Sequence, residues 1–207
     1  KYITVGVLIL RDPDSGVLNA GMYRHEVQGK DKLGCMFNPT HHAGYIYRRC
    51  QELNKRMEAV LFIGHHPAAL LGALGEGSID SCERDLMGGL MGEPLAVTDA
   101  ETVDLPVPAF AEIAIEGYLD PAAETADGPF AEFTGFYGPA KDPIGLMQIT
   151  AITMRSDAIY HDLDPAHQEH NLANALSLES AVFDSVHRLV PSVTAVYVPV
   201  SGACRFT

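Results

Sequence analysis

Positive charge is scarce in this 207-residue chain: 14 lysines and arginines stand against 27 acids, a formal net charge of −13. That balance argues against a nucleic-acid surface or an anionic membrane as partner, while leaving room for a local positive pocket. No apolar run approaches the roughly 20 residues that a membrane span requires, and no signal-peptide layout is visible. Cys35, Cys50, Cys82 and Cys204 are scattered without a Cys-x-x-Cys spacing. They indicate neither a zinc knuckle nor a disulfide framework, and they fit a reducing, cytoplasmic setting. Internal repeats and low-complexity segments are missing. The glycines from Gly88 to Gly92 do not form a Gly-x-Gly-x-x-Gly turn after a strand, so a Rossmann reading is not supported.

What is present suits one large domain, or one and a half, with a real core: 47% of residues are hydrophobic and 20% charged. A strand-like pattern begins at once from Lys1, and the chain is expected to be a piece of a longer protein. Tyr2 to Arg11 and Val17 to Val27 flank the turn signal Asp12-Pro13-Asp14-Ser15-Gly16 and read as a β-hairpin. A short strand from Leu33 to Phe37 follows. Ile46, Cys50 and Leu53 then fall at helical spacing between His42 and Met57. Ala59 to Ile63 is a buried strand, Pro67 opens a short helix to Leu74, Gly75 to Ser78 is a loop, and Asp80 to Gly92 is partly helical. Pro94 to Val97 and Val103 to Val107 are short extended segments. Ala111 to Tyr118 and Gly145 to Arg155 are strands. Asp164-Pro165 reads as an N-cap and first-turn pair for a helix running to about His187, and Val193 to Val200 as a last strand. Short strands with helices between them predict an α+β fold with a barrel-like or strongly curved sheet.

The chain is organised around Ala126 to Gly138. Asp127 and Glu132 stand five residues apart across a Gly-Pro bend, with Phe130, Phe133 and Phe136 beside them. Two acids on either side of a bend can converge on one point, and aromatic walls would strip them of water and favour a protonated, acid-catalytic form. An ordinary solvated turn is the competing reading. Asn19 and Arg24 share the second strand at an odd spacing, which puts them on opposite faces unless a bulge at Ala20-Gly21 realigns them. His41 and His42 sit at a loop-to-helix junction, where phosphate or a metal is favoured. An Asn, a His and Glu83 together would suit Mn²⁺ or Mg²⁺ bridging a phosphate. Each of these residues, taken alone, is as well explained by a surface position. The histidines between His161 and His170 read as a solvated helix start, not a metal site. His65-His66-Pro67 ends a strand, where a structural histidine is at least as good a reading as a ligand.

Taken together, the motifs resemble the UbiD-like reversible decarboxylases that use prenylated flavin mononucleotide. Asp127 to Gly135 is similar to that family's acid-Gly-Pro-Phe-Gly-Glu fingerprint. The hairpin from Asp12 to Arg24, Glu83 with Leu86, Gly88, Leu90 and Gly92-Glu93-Pro94, Pro108 to Gly117, and Gly64 to Pro67 match its other landmarks in order. The resemblance implies a split β-barrel-like flavin-binding domain with inserted helices over residues 1–160. A linker helix and the first strand of a C-terminal domain would follow over 161–207. It implies Arg24, Asp127 and Glu132 as the catalytic network, and Asn19, Met22, Arg24, His41, His42 and Glu83 as cofactor-binding residues. Asn19, His42 and Glu83 would hold Mn²⁺ (or Mg²⁺), with K⁺ nearby. Glu132 would protonate the carbon that loses CO₂, and Asp127 would hold Arg24 and tune Glu132. Asp127 stands where many members have Glu, and Ala131 replaces the more usual Gly.

The implied reaction is non-oxidative decarboxylation of an α,β-unsaturated or (hetero)aromatic acid, with a flavin prenyltransferase supplying the cofactor and the full-length protein forming a homo-oligomer. This stretch on its own is expected to be inactive or nearly so. Two other readings compete: a non-catalytic flavin- or metal-binding module, and a metal-dependent hydrolase with Glu132 as base.

Overall fold

A computed structural model describes residues 1–75 and 82–199. Its centre is a closed six-stranded barrel in the order β1-β2-β3-β8-β7-β4. The strands are β1 (Tyr2–Arg11), β2 (Leu18–Val27), β3 (Lys32–Cys35), β4 (Met57–Ile63), β7 (Ile113–Asp127) and β8 (Lys141–Met154). A two-stranded ribbon, β5 (Val97–Asp99) with β6 (Pro106–Pro108), lies outside the barrel order. Helices α1 (His42–Glu52), α2 (Pro67–Ala73) and α3 (Glu83–Met91) are inserted between strands, and α4 (Gln168–Leu189) follows the barrel. Closure removes the free sheet edges of the barrel strands.

Period-2 alternation separates two apolar cores. Leu8, Leu10, Leu33, Leu61, Ile115 and Met147 form one with α1, through Ala43, Ile46 and Cys50. Val7, Ile9, Val60 and Phe62 face the other way, onto Ala69, Ala73 and Met87 of α2 and α3. The hairpin turn forms as expected. The Asp12 carboxylate accepts from Asp14 N at 2.9 Å and Ser15 Oγ at 2.7 Å, and Gly16 takes φ +76°.

Several boundaries differ from expectation for physical reasons. Helix α1 stops at Glu52, because Asn54 takes φ +50° and turns the chain into β4, which begins at Met57. Strand β7 runs on past Tyr118 to Asp127. Its ladder skips from Leu119 to Glu124, so Pro121 falls in an irregular stretch where no ladder bond is needed. The N-cap of α4 is His167, whose ring accepts from Glu169 N, and not Asp164; Ala166, at φ +65°, displaces the start of the helix beyond the Asp-Pro pair. Residues 193–199 carry no strand pairing, so the expected last strand has no ladder among the described residues. Residues 76–81 and 200–207, including most of the expected loop from Gly75 to Ser78, lie outside the described residues. No helix among the described residues is long and apolar enough to cross a membrane.

Candidate active site

A cavity of about 780 Å³ runs along β2 from Asn19 to Arg24 and is closed over by residues near and on α4. The ladder keeps the expected alternation: Asn19 pairs with Leu10, which belongs to the core shared with α1, and Arg24 stands on the other face. The register irregularity falls in β1 between Ile3 and Gly6, not at Ala20-Gly21. Both residues nevertheless line this one cavity, together with Met22, His41, His42, Glu83 and Glu132. Of the residues given a catalytic, cofactor or metal role from sequence, Asp127 is the one that does not line it.

Arg24 joins the two acids of the central stretch. Its Nη2 lies 2.5 Å and its Nε 3.1 Å from Asp127 Oδ2, and its Nη1 lies 3.0 Å from Glu132 Oε1. The geometry follows from local sequence. Asp127 ends β7, Gly128 takes φ +93° and joins a cis Pro129, and the loop returns through the Ala131–Tyr137 bridge. A side chain at Gly138 would collide with the Glu132 side chain, whose Cγ lies 2.8 Å from where that Cβ would stand. Burial works against the charge on Arg24, but hydrogen bonds and attraction from Asp127 and Glu132 outweigh it and hold the guanidinium above its ordinary value. Phe130 supports the ion from below, with Arg24 Cζ 4.5 Å from its ring centre. Phe130 and Phe133 line the cavity. Phe136 is 77% exposed and forms no wall there.

The second group gathers on Glu83, the first residue of α3. Its Oε2 accepts from Ala20 N at 2.9 Å, and its Oε1 from Asn19 Nδ2 at 3.0 Å. His42 Nδ1 lies 3.5 Å from the same Oε1. Glu83 is buried, and Asn19 Oδ1 is buried with no hydrogen-bond partner among the described residues. A buried carboxylate faced by an amide, a backbone N–H and an imidazole lacks a full countercharge. Oxygen, nitrogen and oxygen donors with an orphaned amide oxygen fit a hard divalent cation. Because the trio contains an amide, it is not a cluster of three His, Cys, Asp or Glu side chains, and no such cluster occurs among the described residues. Beside it, α1 begins with no acid in its first turn and no side-chain cap from His41. Ala43 N faces the Tyr23 phenol, and the partial positive charge of this helix end, with no acid beside it, favours an anion.

Other lining residues have no signal in the sequence that ties them to this cavity. Thr4, Asn38, His170, Asn174 and Ser177 all face the cavity. His170 accepts from Ala166 N at 3.3 Å, so one histidine of the segment read as a solvated helix start belongs to the cavity wall. Thr4 ties β1 to the approach to α4: its hydroxyl donates to Leu163 O at 2.6 Å and accepts from Leu163 N at 3.1 Å. His66 caps α2 by accepting from Ala68 N at 3.2 Å. Its neighbour His65 packs edge-on to Phe62. Burial, reinforced by His66, pushes the His65 imidazole down.

Comparison with known proteins places these features in context. The family model for the UbiD 3-octaprenyl-4-hydroxybenzoate carboxy-lyase Rift-related domain matches residues 1–167. The anhydromevalonate phosphate decarboxylase of Methanothermobacter thermautotrophicus is 34% identical over 203 residues, 98% of this chain and 47% of that protein. An evolved dimeric form of the UbiD-class enzyme HmfF from Pelotomaculum thermopropionicum, solved in complex with prFMN, superposes with a TM-score of 0.95 at 38% identity. The match covers 99% of this chain and 47% of that one. The vanillic acid decarboxylase of Sedimentibacter hydroxybenzoicus, in its closed form, matches at a TM-score of 0.88 and 27% identity over 95% of this chain and 43% of its own. The chain thus spans about half the length of these relatives.

Proposed function

The chain belongs to the UbiD family, and from that premise we propose that it forms the cofactor-binding part of a decarboxylase. The reaction is the reversible, non-oxidative loss of CO₂ from an α,β-unsaturated or (hetero)aromatic carboxylic acid. Prenylated FMN, when bound, supplies an electron sink for the negative charge that departure of CO₂ leaves on carbon. The remaining work falls to side chains of this chain.

The observation that carries the reading is the unequal division of one guanidinium between two carboxylates. The Asp127 side chain is 1% exposed and takes two N–H groups of Arg24; that of Glu132 is 34% exposed, takes one, and faces the cavity. Asp127 therefore fixes the plane of Arg24. Glu132 can yield Nη1 to the carboxylate of a substrate, carry a proton, and deliver it to the carbon once CO₂ has gone. Arg24 orients that substrate carboxylate, and Phe130 and Phe133 keep water from it. Asn19, His42 and Glu83 would hold Mn²⁺ or Mg²⁺, and the α1 N-terminus with His41 would take the flavin phosphate, Met22 lying along the same wall. Engagement of Glu132 by Arg24, away from the Glu83 trio, favours this reading over hydrolysis by a metal-bound water.

Residues 161–207 read as a linker helix and the start of a further domain that completes the cleft. The test is Glu132→Gln in the protein as encoded, co-expressed with a flavin prenyltransferase. Turnover is expected to fall by roughly 100-fold or more, with the spectrum and mass of the bound cofactor unchanged. Undiminished turnover in the variant, or metal-dependent turnover without flavin, overturns the proposal.

A further inference from the structure

Buried polar groups without partners are rare enough that each calls for an explanation. Two of them lie at the same spot. The Tyr2 hydroxyl, on the first strand residue of β1, and Asp127 Oδ1 are both buried, and neither has a hydrogen-bond partner among the described residues. One is a donor and the other an acceptor. Tyr2 pairs in register with Glu26, two residues beyond Arg24 and so on the same face of the sheet. Its ring lies 4.6 Å from that of Phe130, tilted by 59°, and Arg24 Cζ lies 4.5 Å from the same ring. Phe130 thus packs against both Tyr2 and the guanidinium.

We infer that Tyr2 is a positioning residue of this site, its O–H donating to Asp127 Oδ1, the oxygen that Arg24 leaves uncovered. The backbone around Asp127 is already fixed from β2. Gln28 Nε2 donates to Ala126 O at 2.8 Å, and Gly128 N donates to Glu26 Oε2 at 3.3 Å. The remaining freedom of Asp127 is rotation of its carboxyl group, and a donor on Oδ1 removes it. Burial first, and then the charges of Asp127 and Glu26 and the hydrogen-bonding reach of Asp127, push the Tyr2 phenol up to about 12 against an opposing contribution from the Gly128 backbone. At any working pH the phenol therefore keeps its proton and can only donate to the carboxylate. Through Asp127 it sets the tilt of Arg24, and through Arg24 the place of Glu132.

The contact stands on packing alone; its consequence for turnover rests on the decarboxylase reading above. Two measurements separate them. A polyfluorinated, more acidic tyrosine at position 2 of the cofactor-free protein can be titrated by fluorine NMR within the stable pH range. Adding Asp127→Asn is expected to lower that titration midpoint by about half a pH unit or more, since an adjacent negative charge is removed. An unmoved midpoint overturns the inference. In the cofactor-loaded protein, Tyr2→Phe is expected to lower kcat roughly tenfold, the scale of one hydrogen bond to a charged group. KM should stay within about twofold, with the pH profile of kcat displaced. An unchanged kcat and pH profile overturns the positioning role. A moved NMR midpoint in a protein that decarboxylates nothing upholds the contact and removes the decarboxylase reading instead.

Discussion

Strand β7 carries two buried carboxylates, Glu116 and Asp127, each 1% exposed, and the fold treats them in opposite ways. Glu116 Oε1 accepts from Glu101 N at 3.0 Å, and its Oε2 accepts from Thr102 N at 2.7 Å and Thr102 Oγ1 at 2.8 Å. Three neutral donors from one short segment satisfy both its oxygens, and no cation pairs with it among the described residues. Asp127 has a cation on one oxygen and, among the described residues, no formed hydrogen bond on the other. The first arrangement is complete, a clamp that ties residues 101–102 to the barrel. The second is incomplete and shares its cation with a partly exposed acid. Burial alone therefore does not tell the acid proposed to act from the one that only holds a loop; an unfinished set of partners, with a shared charge, does.

Removing the cation gives the largest expected effect. In Arg24→Met the Asp127 carboxylate is left buried without countercharge, which costs about 3–5 kcal/mol for a broken buried pair. The unfolding midpoint of the protein should fall accordingly, and decarboxylation should be lost altogether. A variant that unfolds at the wild-type midpoint would show that Asp127 is as self-sufficient as Glu116 and would erase the contrast between them.

His25, next to Arg24 on β2, separates burial from charge. It is fully buried with both ring nitrogens unpartnered among the described residues. Burial, only partly opposed by the Tyr23 backbone, pushes it from its ordinary value of 6.5 down to about 4. It is tolerated because it is neutral. A folded-state value below the unfolded one means that the unfolded chain takes up the proton first. Stability is therefore intact above about 6.5 and is lost as the pH drops toward about 4. The loss by then is roughly 3 kcal/mol from this residue. His25→Leu should flatten that part of the pH–stability curve in urea unfolding between pH 7 and pH 4.5. Parallel curves for wild type and variant would show that the imidazole is protonated in the folded state.

What the sequence discloses about this fold is what short-range chemistry decides. The turn from Asp12 to Gly16 announces itself because its carboxylate caps its own backbone. The Gly-Pro bend after Asp127 is equally local, and the acids on either side of it do meet on Arg24. Asn19, His42 and Glu83 are tied together in the sequence only by the order of their motifs, since no spacing rule pairs β2 with the start of α1 and of α3. Contacts made only by barrel closure left no local trace. Pro121 argues for a strand end, yet the β8 ladder resumes beyond it. Tyr2 reads as one more strand aromatic until β7 delivers Asp127 beside it. His170 and Thr4 reach the cavity because the segment before α4 returns to β1 at Leu163 and α4 reaches Leu74 through Ser177, a tertiary event to which neither residue's neighbours point.

The smallest effect is also the sharpest discriminator, a pair of isosteric amides on the same strand. In Glu116→Gln one oxygen becomes an NH₂ facing N–H donors, so at least one buried donor loses its acceptor, at a cost of about 1–3 kcal/mol. No charge near the cavity changes, so kcat should match the wild type. In Asp127→Asn the amide oxygen can still accept from Arg24, while the new NH₂ takes the place of Oδ1, where the Tyr2 oxygen is free to accept. Its unfolding midpoint should move less than that of Glu116→Gln. Its kcat should nevertheless fall sharply, because an uncharged Asp127 no longer shares the guanidinium on equal terms and Arg24 closes on Glu132. Stability and turnover are thus expected to part company, each lost at a different end of β7. Parallel losses of both in the two variants would mean that the two carboxylates do the same job and that the unpartnered oxygen of Asp127 has no functional meaning.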